Sequence, residues 1–343
     1  MLSNQIATSN IKMKTYQQLW QSLTPLYDAG EAQAIVRTVL DVKYGMTLTD
    51  IICGKVNEIS ADEERKLEEI IIRLQKGEPV QYVLGEADFA GRPFHVEPGV
   101  LIPRPETAEL CQWIEKDMIE KSIVSSGDSS EDSLEDSSGN SPQATDDARR
   151  ILDICTGSGC IAITLGLNIP NSEVTGWDIS EDALRIAQGN VEMMKAGNVR
   201  IEHQDALALP KAAETDNEKM KGNDDKEVVK PKGKVKTPST QKWDLIVSNP
   251  PYICEKEKAD MEKNVLEHEP SLALFVPDED PLKFYRAIAE YASSALKSGR
   301  ALYFEINPIY EKETREMLLK LDFKDIETKE DAFGKKRMMR AIK

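Results

Sequence analysis

The 343-residue chain has no apolar run long enough to cross a bilayer, and residues 1–12 lack the apolar core of a signal peptide. Its three histidines are scattered, and its five cysteines (Cys53, Cys111, Cys155, Cys160, Cys254) are an odd number without a Cys-x-x-Cys pair. Neither a metal centre nor a disulfide framework is therefore expected. Positive charge is also in deficit, since 44 Lys and Arg against 60 Asp and Glu leave −16 at pH 7. A field of that sign repels a phosphate backbone and argues against direct DNA binding. What remains is the profile of a cytoplasmic protein, charged at 30% of its positions and long enough for two domains, with a monomer expected.

Against these absences stands Asn249-Pro250-Pro251-Tyr252, which closes the apolar run from Trp243 to Ser248. Both prolines lack an N–H and have φ fixed near −65°, and Pro251 bars Pro250 from the α region, so the Pro250 carbonyl is held stiffly. That carbonyl and the Asn249 side-chain oxygen can accept both hydrogens of one NH₂ group. The nitrogen is then aimed at a third point, where a methyl donor can sit, while Tyr252 covers the planar face of an amide or base. The plain alternative is a strand-ending turn, because Asn-Pro and Pro-Pro are ordinary loop punctuation.

A second motif lies upstream, where the apolar run from Ile151 breaks into Cys155-Thr156-Gly157-Ser158-Gly159 and re-enters a helical pattern at Cys160. Gly157 and Gly159 let the backbone approach a ligand closely, and the start of the next helix offers N–H groups and partial positive charge. This suits the methionine carboxylate of S-adenosyl-L-methionine. Asp178 closes the next apolar strand, twenty-one residues after Gly157, close to the spacing at which dinucleotide folds place a ribose-binding acid. A third strand, 199–203, ends before Asp205 and Ala206, where Asp205 is positioned to take an adenine amino group. The glycine turn alone is a weak signal. The ordered set of Gly157 and Gly159, Asp178, Asp205 and Asn249 is a specific one.

With these motifs in place, the chain resembles the HemK/PrmC family, protein-(glutamine-N5) methyltransferases that modify peptide chain release factors. The resemblance runs from about Thr15 to the C-terminus and includes Gly77-Glu78-Pro79-Val80-Gln81-Tyr82, Leu101-Ile102-Pro103-Arg104-Pro105-Glu106-Thr107, Glu269-Pro270 and Glu305-Ile306-Asn307. It implies a Rossmann-like class I fold with a seven-stranded sheet, release factors as protein substrates, and S-adenosyl-L-methionine as the donor. It places the donor at Cys155, Thr156, Gly157, Ser158, Gly159, Asp178, Ala206 and Asn249, and the glutamine at Asn249, Pro250, Pro251 and Tyr252. Asn249, Pro250 and Tyr252 are the expected catalytic residues. Arg104 and Glu106 line the site by the same resemblance, with a salt-bridged loop the alternative for either; Glu305, at the end of the fifth strand, orders the site or serves as a structural partner for a neighbouring backbone group. Two positions depart from the pattern: Cys155 replaces the family's first glycine, and Ala206 an aromatic residue found in some members. A DNA adenine-N6 methyltransferase uses the same grip on a flipped base, but needs a basic recognition surface that this composition does not offer. A non-catalytic binding protein with a decayed methyltransferase domain is the other alternative.

The expected organisation is a flexible tail at 1–13, with Met13 an alternative start, then a helical substrate-docking domain at 14–84. A β-hairpin and linker follow at 85–104, and the methyltransferase domain at 105–343. In the helical part, Ser60 and Glu63 form a capping-box pattern ahead of Leu67, Ile70, Ile71 and Leu74 at helical spacing, ending at Gly77. The hairpin is expected to turn at Ala90-Gly91-Arg92. Parallel strands are expected at 151–154, 173–178, 199–203, 243–248 and 300–305, with an antiparallel pair at 323–328 and 337–342. Residues 122–147 are rich in Ser, Asp and Glu, and 211–242 carry nine lysines against six acids. Both have too few apolar side chains to offset the entropy of ordering, so both are expected as disordered insertions. For the second, a solvated linker and a substrate-steering arm are the alternatives.

Overall fold

The computed structural model describes residues 15–126, 148–210 and 242–343. The expected tail at 1–13 lies outside these residues. So do the expected insertions except at their margins, where a helix runs on to Ser126 and Lys242 leads into a strand. The chain divides into two compact units, the first formed by residues up to Ala87 with Val96–Pro98 and Met261–Glu269, the second by the remainder.

The first unit is helical, with α1 (Tyr16–Gln21), α2 (Ala29–Tyr44), α3 (Leu48–Ile52), α4 (Ala61–Leu74) and α5 (Val80–Leu84). Short polar caps start the first four: the side chains of Thr15, Asp28, Thr47 and Ser60 each accept from the first-turn backbone, and three of them form reciprocal capping boxes. In α4 the expected apolar stripe is inward, with Leu67, Ile71 and Leu74 buried and Ile70 half-buried. They pack with Val36, Val39 and Leu40 of α2 into a core of their own.

A hairpin of β1 (Glu86–Phe89) and β2 (Arg92–His95) follows, its turn residues Ala90 and Gly91 both with positive φ, and the second unit begins within it at Asp88. Phe89 and Phe94 are core residues of this unit, in edge-to-face contact. After α6 (Pro105–Ser126), strands and helices alternate: β3 (Arg149–Ile154), α7 (Cys160–Asn168), β4 (Ser172–Asp178), α8 (Glu181–Met193), β5 (Val199–His203) and β6 (Trp243–Ser248). There follow β7 (Ile253–Cys254), α9 (Lys263–His268) of the first unit, α10 (Ser271–Leu274) and β8 (Phe275–Val276), which pairs in parallel with β7. The chain ends with α11 (Lys283–Ala295), β9 (Leu296–Glu305), α12 (Glu311–Lys320), β10 (Lys324–Glu330) and β11 (Lys336–Ile342).

Seven strands form one Rossmann-like sheet in the order β10-β11-β9-β6-β3-β4-β5, with β3, β4, β5, β6 and β9 parallel and β11 antiparallel to β9. Successive side chains alternate between two cores. Ile151, Leu245, Val247 and Tyr303 pack toward α6 and α7, while Leu152, Ile246, Leu302 and Phe304 pack toward α11 and α12. Burial on both faces explains why these strands read as continuous apolar runs.

Candidate active site

Between β3 and β6 the strand order reverses, because β3 is followed in sequence by β4 on one side while β6 lies on the other. Ligands of open α/β sheets bind outside the carboxyl ends of the strands at such a point. Ile154 pairs with Ser248 across it, and the Ser248 hydroxyl donates to the Ile154 carbonyl at 2.6 Å. The segments starting at Cys155 and Asn249 therefore leave the sheet side by side, although nearly a hundred residues separate them.

The loop after β3 is shaped by positive φ at Cys155 (63°), Gly157 (55°) and Gly159 (80°). Asp153 anchors it from below, its Oδ2 accepting from Thr156 Oγ1 at 2.6 Å and from the Ala162 amide at 3.2 Å. Full burial pushes the Asp153 carboxyl up to about 7, against the pull of those two donors. Gly176 on β4 makes room for Thr156, since a Cβ there would lie 2.7 Å from Thr156 Oγ1. Around Gly157 the space is open.

A cavity lies over this loop, and its lining unites most of the residues singled out by sequence: Cys155, Thr156, Gly157 and Ser158, then Asp178, Asp205 and Ala206, then Asn249 and Pro251. Asp178 accepts from the Gly157 amide through Oδ2 at 2.9 Å and from the Ser180 amide through Oδ1 at 3.0 Å. Burial raises its pKa, and those amides work in the opposite direction. Asp205 Oδ1 accepts from the Leu207 amide at 2.7 Å, which fixes its turn. The Cys155 thiol is pushed well above its ordinary value by burial, so it stays neutral.

Three expected site residues stand elsewhere. Gly159 caps α7 and is not in the lining; a Cβ on it would come within 3.2 Å of Ala187 on α8, so its smallness serves helix packing. Pro250 is buried and is not in the lining. Tyr252, expected to cover the planar face of the acceptor, packs its ring against the α11 core and donates its hydroxyl to Glu305 Oε1 at 3.0 Å. Aromatic and apolar surface in the cavity comes instead from Phe284, Leu101 and Leu272.

Asn249 is held by a chain of hydrogen bonds. Its Nδ2 donates to Thr107 Oγ1 at 3.3 Å, and Thr107 donates to Glu305 Oε2 at 2.6 Å. Thr107 comes from the first turn of α6, where Pro105 supplies the fixed φ suited to a helix start. Glu305 ends β9 and is buried, which raises its pKa, while the hydroxyls of Thr107 and Tyr252 favour the charged form. Asn307 ties the other flank, donating to the Tyr252 carbonyl at 3.1 Å and to both oxygens of Glu257. Buried Asn190 on α8 bonds the Ser158 carbonyl and both backbone groups of His95, joining the loop to the hairpin. Its place within an amphipathic helix pattern gave no sign of this.

Among the described residues no three His, Cys, Asp or Glu side chains are grouped to hold a metal ion, and no helix is long and apolar enough to cross a membrane.

A family model described as a methyltransferase domain matches residues 145–270, and another described as the PrmC N-terminal domain matches residues 24–85. The release factor glutamine methyltransferase of Bacteroides thetaiotaomicron is 42% identical over 321 residues, covering 94% of this chain and 96% of that protein. The protein of the same name from Flavobacterium psychrophilum is 35% identical, with 96% and 98% covered. That from Streptococcus pneumoniae is 33% identical, with 86% of each covered.

Proposed function

Because this chain belongs to the family of release factor glutamine methyltransferases, we propose that it methylates a glutamine of a peptide chain release factor in the cytoplasm. The acceptor atom is the side-chain amide nitrogen, and the donor is S-adenosyl-L-methionine. The observation that supports this most directly is the orientation of Asn249. With Nδ2 donating to Thr107, the remaining end of the amide is the oxygen, in a residue that lines the same cavity as Asp178 and Gly157. An acceptor oxygen suits an NH₂ substrate.

The donor fits the residues present. Gly157 leaves open space over the loop, where the methionine carboxylate meets backbone N–H groups and the start of α7. The Asp178 carboxylate accepts from backbone amides at both oxygens and keeps acceptor capacity for the ribose hydroxyls. Asp205 and buried Ala206 border the adenine end.

When bound, S-adenosyl-L-methionine supplies a sulfonium methyl group. Asn249 Oδ1 accepts an amide hydrogen of the glutamine, which orients its nitrogen and raises the electron density on it. An amide nitrogen is a poor nucleophile because its lone pair is delocalised, so this contact acts through proximity and electrostatics. The methylated nitrogen is acidic enough to release its proton to water, and no side-chain base is required.

Asn249→Ala tests the assignment. Transfer from labelled donor to purified release factor should fall by roughly two orders of magnitude, the effect of deleting one orienting group worth about 3 kcal/mol. Donor affinity by calorimetry should change far less. Near-wild-type turnover would remove Asn249 from the role, and labelling of unmethylated DNA in place of release factor would redirect the function to adenine.

A further inference from the structure

We infer that Thr107 and Glu305 are positioning residues that set the polarity of the Asn249 amide, so that an oxygen and not an NH₂ group faces the substrate. The inference rests on Asn249 acting as the amide acceptor and adds what makes it one.

An asparagine side chain has two ends of nearly equal shape and opposite hydrogen-bonding character, so packing alone does not choose between them. The choice is made here by proton bookkeeping along a buried chain. Glu305 accepts at both carboxylate oxygens, Oε2 from Thr107 and Oε1 from Tyr252, and donates to neither. Thr107 has a single hydroxyl proton, and it is committed to Glu305 at 2.6 Å. Toward Asn249 the hydroxyl therefore offers only a lone pair. Nδ2 is the end that satisfies it, at 3.3 Å. The reversed amide would set two acceptor oxygens against each other. Thr107 is buried and β-branched at χ1, so the relay has little freedom to rearrange. The acceptor character of a carboxylate at the end of β9 thus reaches the cavity wall through one hydroxyl and one amide.

The test is a double-mutant cycle in the full chain, with Thr107→Val, Thr107→Ser, Asn249→Ala and the Thr107→Val/Asn249→Ala pair, using labelled donor and saturating release factor. Valine keeps the shape of Thr107 and removes the relay. Thr107→Val should lower kcat roughly tenfold or more while donor affinity by calorimetry stays within about twofold. Thr107→Ser should retain turnover within about threefold of wild type, because it keeps the hydroxyl. In the Asn249→Ala background, where there is no amide left to orient, Thr107→Val should change residual single-turnover transfer by less than about twofold. Equal loss in both backgrounds would show that Thr107 acts on the fold and not through Asn249, and the inference would fall. Full activity of Thr107→Val beside an impaired Asn249→Ala would also overturn it while leaving the proposed function standing. An active Asn249→Ala would overturn both.

Discussion

Asp153 offers a pH test of how the loop under the cavity is held. Its side chain is wholly buried; Oδ2 carries two hydrogen bonds and Oδ1 carries none. Burial takes its pKa from 3.8 to about 7. Across that interval the folded protein keeps a proton that the unfolded chain has released. Since the native state binds more protons, stability falls as pH rises from about 4 to about 7 and levels off above. Each pH unit corresponds to about 1.36 kcal/mol, so the loss between pH 5 and pH 7 is on the order of 2 to 3 kcal/mol. Asp153→Asn is the matching perturbation: its amide oxygen can accept from Thr156 and Ala162 as Oδ2 does, and nothing titrates. Wild type and variant should be unfolded by heat at matched pH values from 5 to 8.5. Subtracting one curve from the other removes every ionisation the two proteins share. Wild type should lose roughly 5 to 10 °C in Tm relative to the variant over this range, at about 2 to 4 °C per kcal/mol. Parallel curves would mean that Asp153 ionises in the folded protein at its ordinary pKa, and the account of the buried anchor would fail.

Asp178→Ala should weaken donor binding far more than release-factor binding, since two contacts of hydroxyls with a charged acceptor, each worth roughly 1.5 to 3 kcal/mol, are lost; unchanged donor affinity in calorimetry would take Asp178 out of the site. Gly176→Ala should destabilise the fold and loosen the donor loop together, because the new methyl lands 2.7 Å from Thr156 Oγ1 and 3.0 Å from Ile201 Cδ1. A variant with wild-type Tm and donor affinity would show that the strand yields easily. Removing residues 211–241, which lie outside the described residues, should leave kcat nearly unchanged; a steering arm would appear as a salt-dependent rise in KM, and a fall in kcat at saturating substrate would refute the linker assignment.

The sheet was legible because its strands are buried on both faces and so spell themselves as apolar runs. Even their ends came close, with 243–248 matching β6 residue for residue. β9 is expected from 300 but starts at Leu296, which pairs with Trp243 ahead of a register shift, and Gly299 takes φ 72° before the pairing resumes at Ala301. A lysine, a serine and a glycine in that stretch give no strand signal. The cavity was legible to the extent that its residues follow strand ends, where spacing carries information: Gly157, Asp178, Asp205 and Asn249 all qualify.

What orients those residues was not legible, and the reason is physical. Thr107 and Glu305 are 198 positions apart and Asn249 and Thr107 are 142 apart, so no periodicity or local spacing links them. Tyr252 shows the consequence. Read beside Asn249 in the sequence, it belongs over the substrate. Placed in three dimensions, its hydroxyl finds a buried carboxyl group, and leaving Glu305 Oε1 unpaired in the interior would cost about 1 to 3 kcal/mol. That penalty turns the phenol toward the core and leaves Phe284, far along the chain, to supply the aromatic surface of the cavity. A motif fixes which chemical groups are available at a strand end, whereas the direction each one faces is decided by whichever buried group most needs a partner.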